Sequence, residues 1–397
     1  MKKRVMILGA SRYYVRSILA ARELGCEVIV IDRNPDSAGF HYADHYEVVD
    51  IINLQEAMGV AKKYDINGVI AVNDFGVMTA ASIAEEMGLV GISTQSAEYT
   101  TSKAWMRKMW EEAGISPIKF RIVHSLEEAY GAVEELNVWP LILKPVDSRG
   151  GGSRGVSKID NKDQLEKGFE FAQGFYDNKS VIIEEFVEGI EHSVETITYK
   201  GKTYLLAVSD KMKTPAPYRV DKSVIYPTRV TGIALKRIDE MVKAAVQGLK
   251  IDVGAAHVEM CTTNVGPRLF ELGARCGGGG TPDPILPFLT GIEMFKEVVR
   301  IAIGEKPKRL TPLFMKGCVY RFLTPKSGIV KKITGVEEVK TWRNILDCEV
   351  FVREGEDIRP VRIGGDRAGF IIAGGEEREE AIALADKAEA HIHFEYC

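Results

Sequence analysis

The stretch LILKPVDSRGGGSRGVS, Leu141 to Ser157, restricts the rest of the chain more than any other. An apolar run of strand composition delivers one lysine, Lys144, and a proline, then passes into glycines at 150, 151, 152 and 155. Glycine populates positive φ as readily as negative φ, so the stretch is ill suited to continue a strand or helix and reads as a loop. Such a loop serves as plain surface or as a clamp whose N–H groups close over an anion. Arg149 and Arg154 add charge-assisted donors that favour phosphate.

A second pattern concerns two carboxylates. Ala255 to Cys261 and Pro267 to Leu272 read as strands flanking Thr263-Asn264-Val265-Gly266, where Asn and Gly supply the positive φ of a tight turn. A hairpin centred on Val265 sets Glu259 opposite Glu271. Facing carboxylates repel, and a hard divalent cation between them removes that cost; a register one residue away separates them. With the pair formed, Arg275, four residues beyond Glu271, lies beside the metal, suited to a transferring phosphate.

Taken in order, Val5 to Leu8, a helical pattern to Leu24 and Val28 to Ile31 form a β-α-β unit closed by Asp32. Asp32 lies at a distance suited to a ribose, but Ser11 to Tyr14 follow Gly9 where a GxGxxG turn needs two more glycines, which argues against NAD. Helices near Leu54 to Tyr64 and Val77 to Met87, around a strand Val69 to Val72, extend this open α/β layer to about residue 100. A helical stretch from Ser96 to Ala113 carries Lys103 and stops at Gly114 and Pro117. Strands and helices then alternate in an α+β pattern that carries the glycine loop between two strands.

A length of 397 residues implies two to four domains, and a composition of 45% hydrophobic and 27% charged residues is that of a globular protein. The formal charge of -4 offers no footprint for nucleic acid or an anionic membrane. No apolar run is long enough to span a bilayer, and Val5 to Leu8 is too short for a signal peptide core, so a cytoplasmic protein is expected. Six cysteines without CxxC or finger spacing read as reduced structural thiols.

Lys103, Lys144 with its glycine clamp, the strand end Glu184-Glu185-Phe186-Val187, Glu191, then Glu259, Glu271 and Arg275 follow one another as parts of a site for a nucleoside triphosphate, with no Walker loop in the chain. In this order the chain resembles the ATP-grasp superfamily of carboxylate-amine ligases over nearly its whole length. The resemblance implies an α/β ATP-grasp fold: a Rossmann-like domain over 1–100, a small α+β lobe over 101–190, a large α+β lobe over 191–310 and a β-rich C-terminal lobe over 311–397. It implies ATP with Mg2+, or Mn2+ in its place. Lys103 and Lys144 match the phosphate lysines, and Gly151, Gly152 and Ser153 the donors of the covering loop. Glu184, Glu185, Phe186 and Val187 resemble the adenine hinge, and Glu191 the ribose ligand. Glu259 and Glu271 match the metal ligands, and Arg275 the arginine of an E-x-N-x-R motif. Gly273 stands where that motif has asparagine, which leaves the ligands of a second magnesium open.

The C-terminal segment GDRAGFIIAGG and the helix after it look like the last lobe of L-amino-acid ligases; Gly364 to Arg367 reads mainly as packing. The implied activity joins a small-molecule carboxylate, in the first place an amino acid, to an amine through an acyl phosphate, without nucleic acid or membrane partners and with room for a homodimer. A purine-biosynthetic or carbamoyl-phosphate-type enzyme is the nearest alternative, and a non-catalytic nucleotide-binding regulator the next. Residues 209–227, with Tyr218, Arg219 and Lys222, read as a solvated loop near the site, His192 and His257 as packed or orienting histidines, and Gly277 to Gly280 with Thr281 as an N–H cradle.

Overall fold

The computed structural model describes residues 2–115, 118–149 and 151–397. Pro117, expected to stop a helix, and Gly150, expected in the clamp, lie outside the described residues. The chain opens on a four-stranded parallel sheet in the order His45–Val48, Glu27–Asp32, Arg4–Leu8, Gly68–Ala71. Its two central strands carry unbroken buried apolar runs, residues 5–8 and 28–31, as strands covered on both faces do, while the edge strand His45–Val48 is polar and half exposed. Asp32 accepts hydrogen bonds from the backbone N–H groups of Ala10 (2.8 Å) and Asn34 (2.9 Å). Both its oxygens therefore cap the protein's own backbone, which agrees with the missing dinucleotide fingerprint.

The expected single helix over 96–113 is two, Thr94–Thr101 and Lys103–Glu112. Ser102 breaks them with extended φ/ψ (-133°, 118°) and caps the second through its side chain. Lys103 thus opens a helix, and its N–H donates to the carbonyl of Val146 while Ser148 donates to Thr101. The helix Lys103–Glu112 is thereby strapped to the root of the glycine clamp.

The clamp belongs to an antiparallel sheet in the order Phe120–Val123, Val181–Glu185, Leu141–Pro145, Ser157–Ile159. This small lobe has its own apolar core, including fully buried Leu141, Leu143 and Ile183 beneath Phe169. A core separate from that of the neighbouring sheets lets the lobe move as a unit. Gly151, Gly152, Ser153 and Gly155 all have positive φ, and a Cβ on Gly155 would meet the ring of Pro145 at 2.8 Å, so the hairpin needs glycine there.

The next sheet runs Lys202–Val208, Ile190–Tyr199, Gly254–Thr263, Gly266–Gly273. A five-stranded sheet then joins Asp210–Lys213 and Asp221–Tyr226 to Gly317–Leu323, Gly369–Gly375 and Ile345–Val350. Residues 209–227 are therefore mostly a hairpin within a sheet, which corrects the solvated-loop expectation. The largest apolar cluster unites Ile7 of the first sheet, Ile197 and Ala255 of the sheet that holds Gly254–Thr263, and Tyr320 and Ile372 of the C-terminal strands. Among the described residues no helix is long and apolar enough to cross a membrane.

Candidate active site

The lobes enclose a cavity of about 550 Å³. The described candidates for the nucleotide, metal and catalytic roles (Lys103, Lys144, Gly151, Gly152, Ser153, Glu184, Glu185, Phe186, Val187, Glu191, Glu259, Glu271 and Arg275) all line it, whereas Tyr218, Lys222, Gly277 and Gly280 are not among its lining residues. The volume is that of an ordinary small-molecule site.

Glu259 and Glu271 are direct partners in the hairpin register. They meet by a route the spacing did not reveal. The turn residues are Asn264 and Val265, so the pairs nearest the turn, from Thr263 with Gly266 to Met260 with Leu269, run one residue out of the expected register. A bulge at Phe270 then adds one residue to the second strand and brings Glu271 opposite Glu259. Arg107 holds that bulge, donating from Nη1 to the carbonyl of Leu269 (3.1 Å) and from Nη2 to that of Phe270 (3.0 Å).

Nε of Arg107 lies 2.6 Å from Glu184 Oε1, and Lys144 Nζ lies 2.6 Å from Glu184 Oε2. All three side chains are buried. Burial pushes the Glu184 carboxyl up, but Arg107 and Lys144 outweigh it and hold it down at about 2. Lys144 goes the other way. Burial lowers it, Glu184 only partly offsets this, and Arg107 and Lys103 add like charge. An anion arriving here supplies the counter-charge that Lys144 shares with Arg107. The Glu184 carboxylate is thus engaged as a counter-ion within the protein. Glu185 accepts from the N–H of Lys119 (3.2 Å), and Phe186 donates its N–H to Pro140 (3.0 Å).

Lys103 Nζ donates to the carbonyl of Asp147 (3.1 Å) and lies 3.4 Å from Glu271. Lys211 Nζ lies 2.5 Å from Glu259, and Lys213 bridges Asp221 (2.7 Å) and Glu191 (3.2 Å). Lys211 and Lys213 alternate along one strand and share a face, a period-2 signal the sequence reading passed over. Glu191 also takes Arg219 at 2.8 Å. Burial raises its carboxyl, and Lys213 with Arg219 more than reverses this. Arg219 is therefore an ion-pair partner, while Lys222 is exposed.

His257 is hydrogen-bonded through Nδ1 to Glu195 (2.6 Å), and its Nε2 lies 3.6 Å from Glu259; burial lowers its pKa, and the two carboxylates more than compensate, leaving it up at about 9. His192 is buried between the carbonyl of Ser209 (2.7 Å) and Thr262 Oγ1 (2.9 Å), a packed histidine. The N–H of Gly277 donates to Glu195 (3.1 Å), so that member of the glycine run is engaged by the protein.

The clamp is closed over the cavity from two sides. Gly364 of the C-terminal segment donates its N–H to the carbonyl of Gly152 (2.7 Å), and Ser153 Oγ donates to the carbonyl of Arg219 (3.0 Å). The Gly364 to Arg367 segment thus latches the clamp, which revises its reading as packing, and the Ser153 hydroxyl is occupied in this closed state. Arg149 pairs with Asp147, whereas Arg154 is exposed at the cavity wall.

Arg275 reaches across to the first sheet's edge. Its Nε and Nη2 form a bidentate pair with Asp74 at 2.9 and 2.8 Å, and Nη1 donates to the carbonyl of Cys276 (2.9 Å). Asp74 was not anticipated. The signal available was its position just beyond the carboxyl end of the parallel strand Gly68–Ala71, where open α/β sheets place ligand-facing groups.

No set of three His, Cys, Asp or Glu side chains able to hold a metal occurs among the described residues. Two facing carboxylates nevertheless fit magnesium, which takes one or two protein carboxylates and completes its shell with water and phosphate oxygens.

Comparison with known proteins gives the following likenesses. The ATP-grasp domain family matches residues 137–283, and the L-amino acid ligase C-terminal domain 2 matches residues 321–396. The chain is 25% identical to the L-arginine-specific L-amino acid ligase of Bacillus subtilis, over 80% of this chain and 78% of that protein. Its fold is similar to the L-amino acid ligase of Bacillus licheniformis (TM-score 0.86, 22% identity, covering 100% of this chain and 99% of the other). It is also similar to a biotin carboxylase domain from Hydrogenobacter thermophilus solved with MgADP (TM-score 0.76, 19% identity, covering 100% and 91%). The chain thus carries an ATP-grasp domain, followed by an L-amino acid ligase C-terminal domain 2.

Proposed function

We propose that this protein is an ATP-dependent carboxylate-amine ligase whose carboxylate substrate is an amino acid. The observation that carries this reading is the pairing of Glu259 with Glu271 in one cavity with Lys103, Lys144 and Arg275, under a glycine clamp. The residue ranges 1–100, 101–190, 191–310 and 311–397 serve as its working domains.

A substrate carboxylate oxygen attacks the γ-phosphorus of ATP and the β–γ bond breaks, giving an acyl phosphate and ADP. The amine nitrogen then attacks the acyl carbon, phosphate leaves, and the lost proton passes to solvent as the amide forms. Lys103 and Lys144 bind the phosphate oxygens, Arg275 orients the transferred group, and Glu191 with the 184–187 backbone holds the nucleoside. Glu259 and Glu271 would hold magnesium, which supplies neutralisation of β and γ oxygens when bound. The closed clamp excludes water, which would hydrolyse the acyl phosphate.

A phosphate-release screen with ATP, magnesium and pairs of amino acids tests the proposal. Release that requires both members of a pair supports it; tight ATP binding with no release from any carboxylate defeats it and favours a nucleotide-binding regulator. Lys144→Ala removes a charged donor to phosphate and is expected to weaken ATP binding about 10- to 100-fold by calorimetry, the effect of losing one charge-assisted hydrogen bond. Unchanged affinity would remove Lys144 from the nucleotide site.

A further inference from the structure

We propose that Asp74 and Gly273 act as one unit, in which the Asp74 carboxylate fills the space a side chain at position 273 would occupy and positions Arg275 for the substrate. The inference rests on the role given to Arg275 above.

Gly273 is the last residue of the strand that carries Glu271, and it is buried. Its φ is not among the positive values of the chain, so the backbone there makes no demand for glycine. Space does. A Cβ at 273 would lie 2.7 Å from Asp74 Oδ1, and the guanidinium carbon of Arg275 would be 3.4 Å away. The absent side chain and the carboxylate that arrives from the first domain therefore share one volume.

An ordinary interdomain ion pair would be indifferent to residue 273. Here both Asp74 oxygens engage the Arg275 fork, Asp74 is buried, and Arg275 is itself mostly enclosed. With Nη1 also on the carbonyl of Cys276, three of the five guanidinium N–H groups are fixed. The two that remain, one on each terminal nitrogen, belong to a group lining the cavity with its plane set by Asp74. Asp74 is thus a positioning residue, acting through Arg275 rather than on substrate. It also ties closure of the first domain onto the metal strand to the alignment of that arginine.

The pair is tested by a cycle of Asp74→Ala, Gly273→Asn and the double variant. Asn is chosen because its amide oxygen can occupy the same space and accept from Arg275. Gly273→Asn alone is expected to lower the thermal midpoint and to reduce kcat for phosphate release about 100-fold, since it collides with Asp74. Asp74→Ala alone should reduce kcat about 30-fold with KM for ATP within about twofold, the mark of lost orientation rather than lost nucleotide binding. On the Asp74→Ala background, Gly273→Asn should raise kcat, by about tenfold, and restore the midpoint. A harmless Gly273→Asn, or losses that simply multiply, overturns the inference. If wild-type protein releases no phosphate with any carboxylate, the ligase reading fails separately, and the cycle is read from the midpoints alone: non-additive shifts support the pair and additive shifts overturn it.

Discussion

Glu271→Gln is expected to lower ATP turnover about 1000-fold or more, because the metal's charge stabilisation amounts to several kcal/mol and each ~1.4 kcal/mol is a factor of ten. The substitution keeps size and shape, so the fold should survive. Glu271 already faces Glu259 and stands 3.4 Å from Lys103, so neutralising it removes a repulsion and an attraction that offset each other, together with a ligand. The thermal midpoint without nucleotide should therefore be level with wild type. Stabilisation by ATP with magnesium should fall sharply. Turnover within tenfold of wild type would withdraw Glu271 from the metal site.

Glu184→Gln acts on stability instead. Arg107 and Lys144 share this one carboxylate, and removing it leaves two buried cations without a counter-ion. Breaking a buried pair in this way costs about 3–5 kcal/mol. Its pH signature follows from a carboxyl held at about 2 in the folded protein, below its unfolded value near 4.3. Such a group stabilises the fold fully above the unfolded value, and the contribution is lost as pH falls from about 5 towards 2. Wild type should thus show a fall in unfolding midpoint over this interval that Glu184→Gln largely lacks. Equal midpoints for the two proteins at pH 7 would mean that the triad is not structural.

The loss would not stop at stability. Arg107 connects Glu184 to the bulge at Phe270, and that bulge sets Glu271 opposite Glu259. One buried guanidinium thus links the lysine of the small lobe to the carboxylates of the large one. Loosening Arg107 should weaken metal binding even where the fold persists.

Local patterns carried much of this architecture in the sequence. The parallel layer, the small lobe and the Glu259–Glu271 pairing are legible because apolar periodicity and turn residues act over short distances. The hairpin shows the limit of that reading. Asn264-Val265 makes a turn one residue tighter than the spacing suggested, and the bulge that repairs the register has no composition of its own. Arg107 left a usable trace, since it lies one helical turn after Lys103 and shares its face. Asp74 and Glu195 left little, because their roles depend on partners about 200 and 62 residues away. The carboxylates of Glu184 and Glu191 were expected to face nucleotide. What local pattern could not show is that cations from other segments, Arg107, Lys213 and Arg219, already engage them.

The most direct measurement is chemical trapping of the acyl phosphate. Wild-type protein incubated with ATP, magnesium, an amino acid that is active in the phosphate-release screen and hydroxylamine should form the hydroxamate of that amino acid, with one ADP and one phosphate per hydroxamate. Omission of the amino acid or of magnesium should abolish ADP formation, because attack on the γ-phosphorus requires the carboxylate and a neutralised triphosphate. ADP formation that proceeds without any carboxylate, or that yields no hydroxamate with any amino acid tested, would contradict the account.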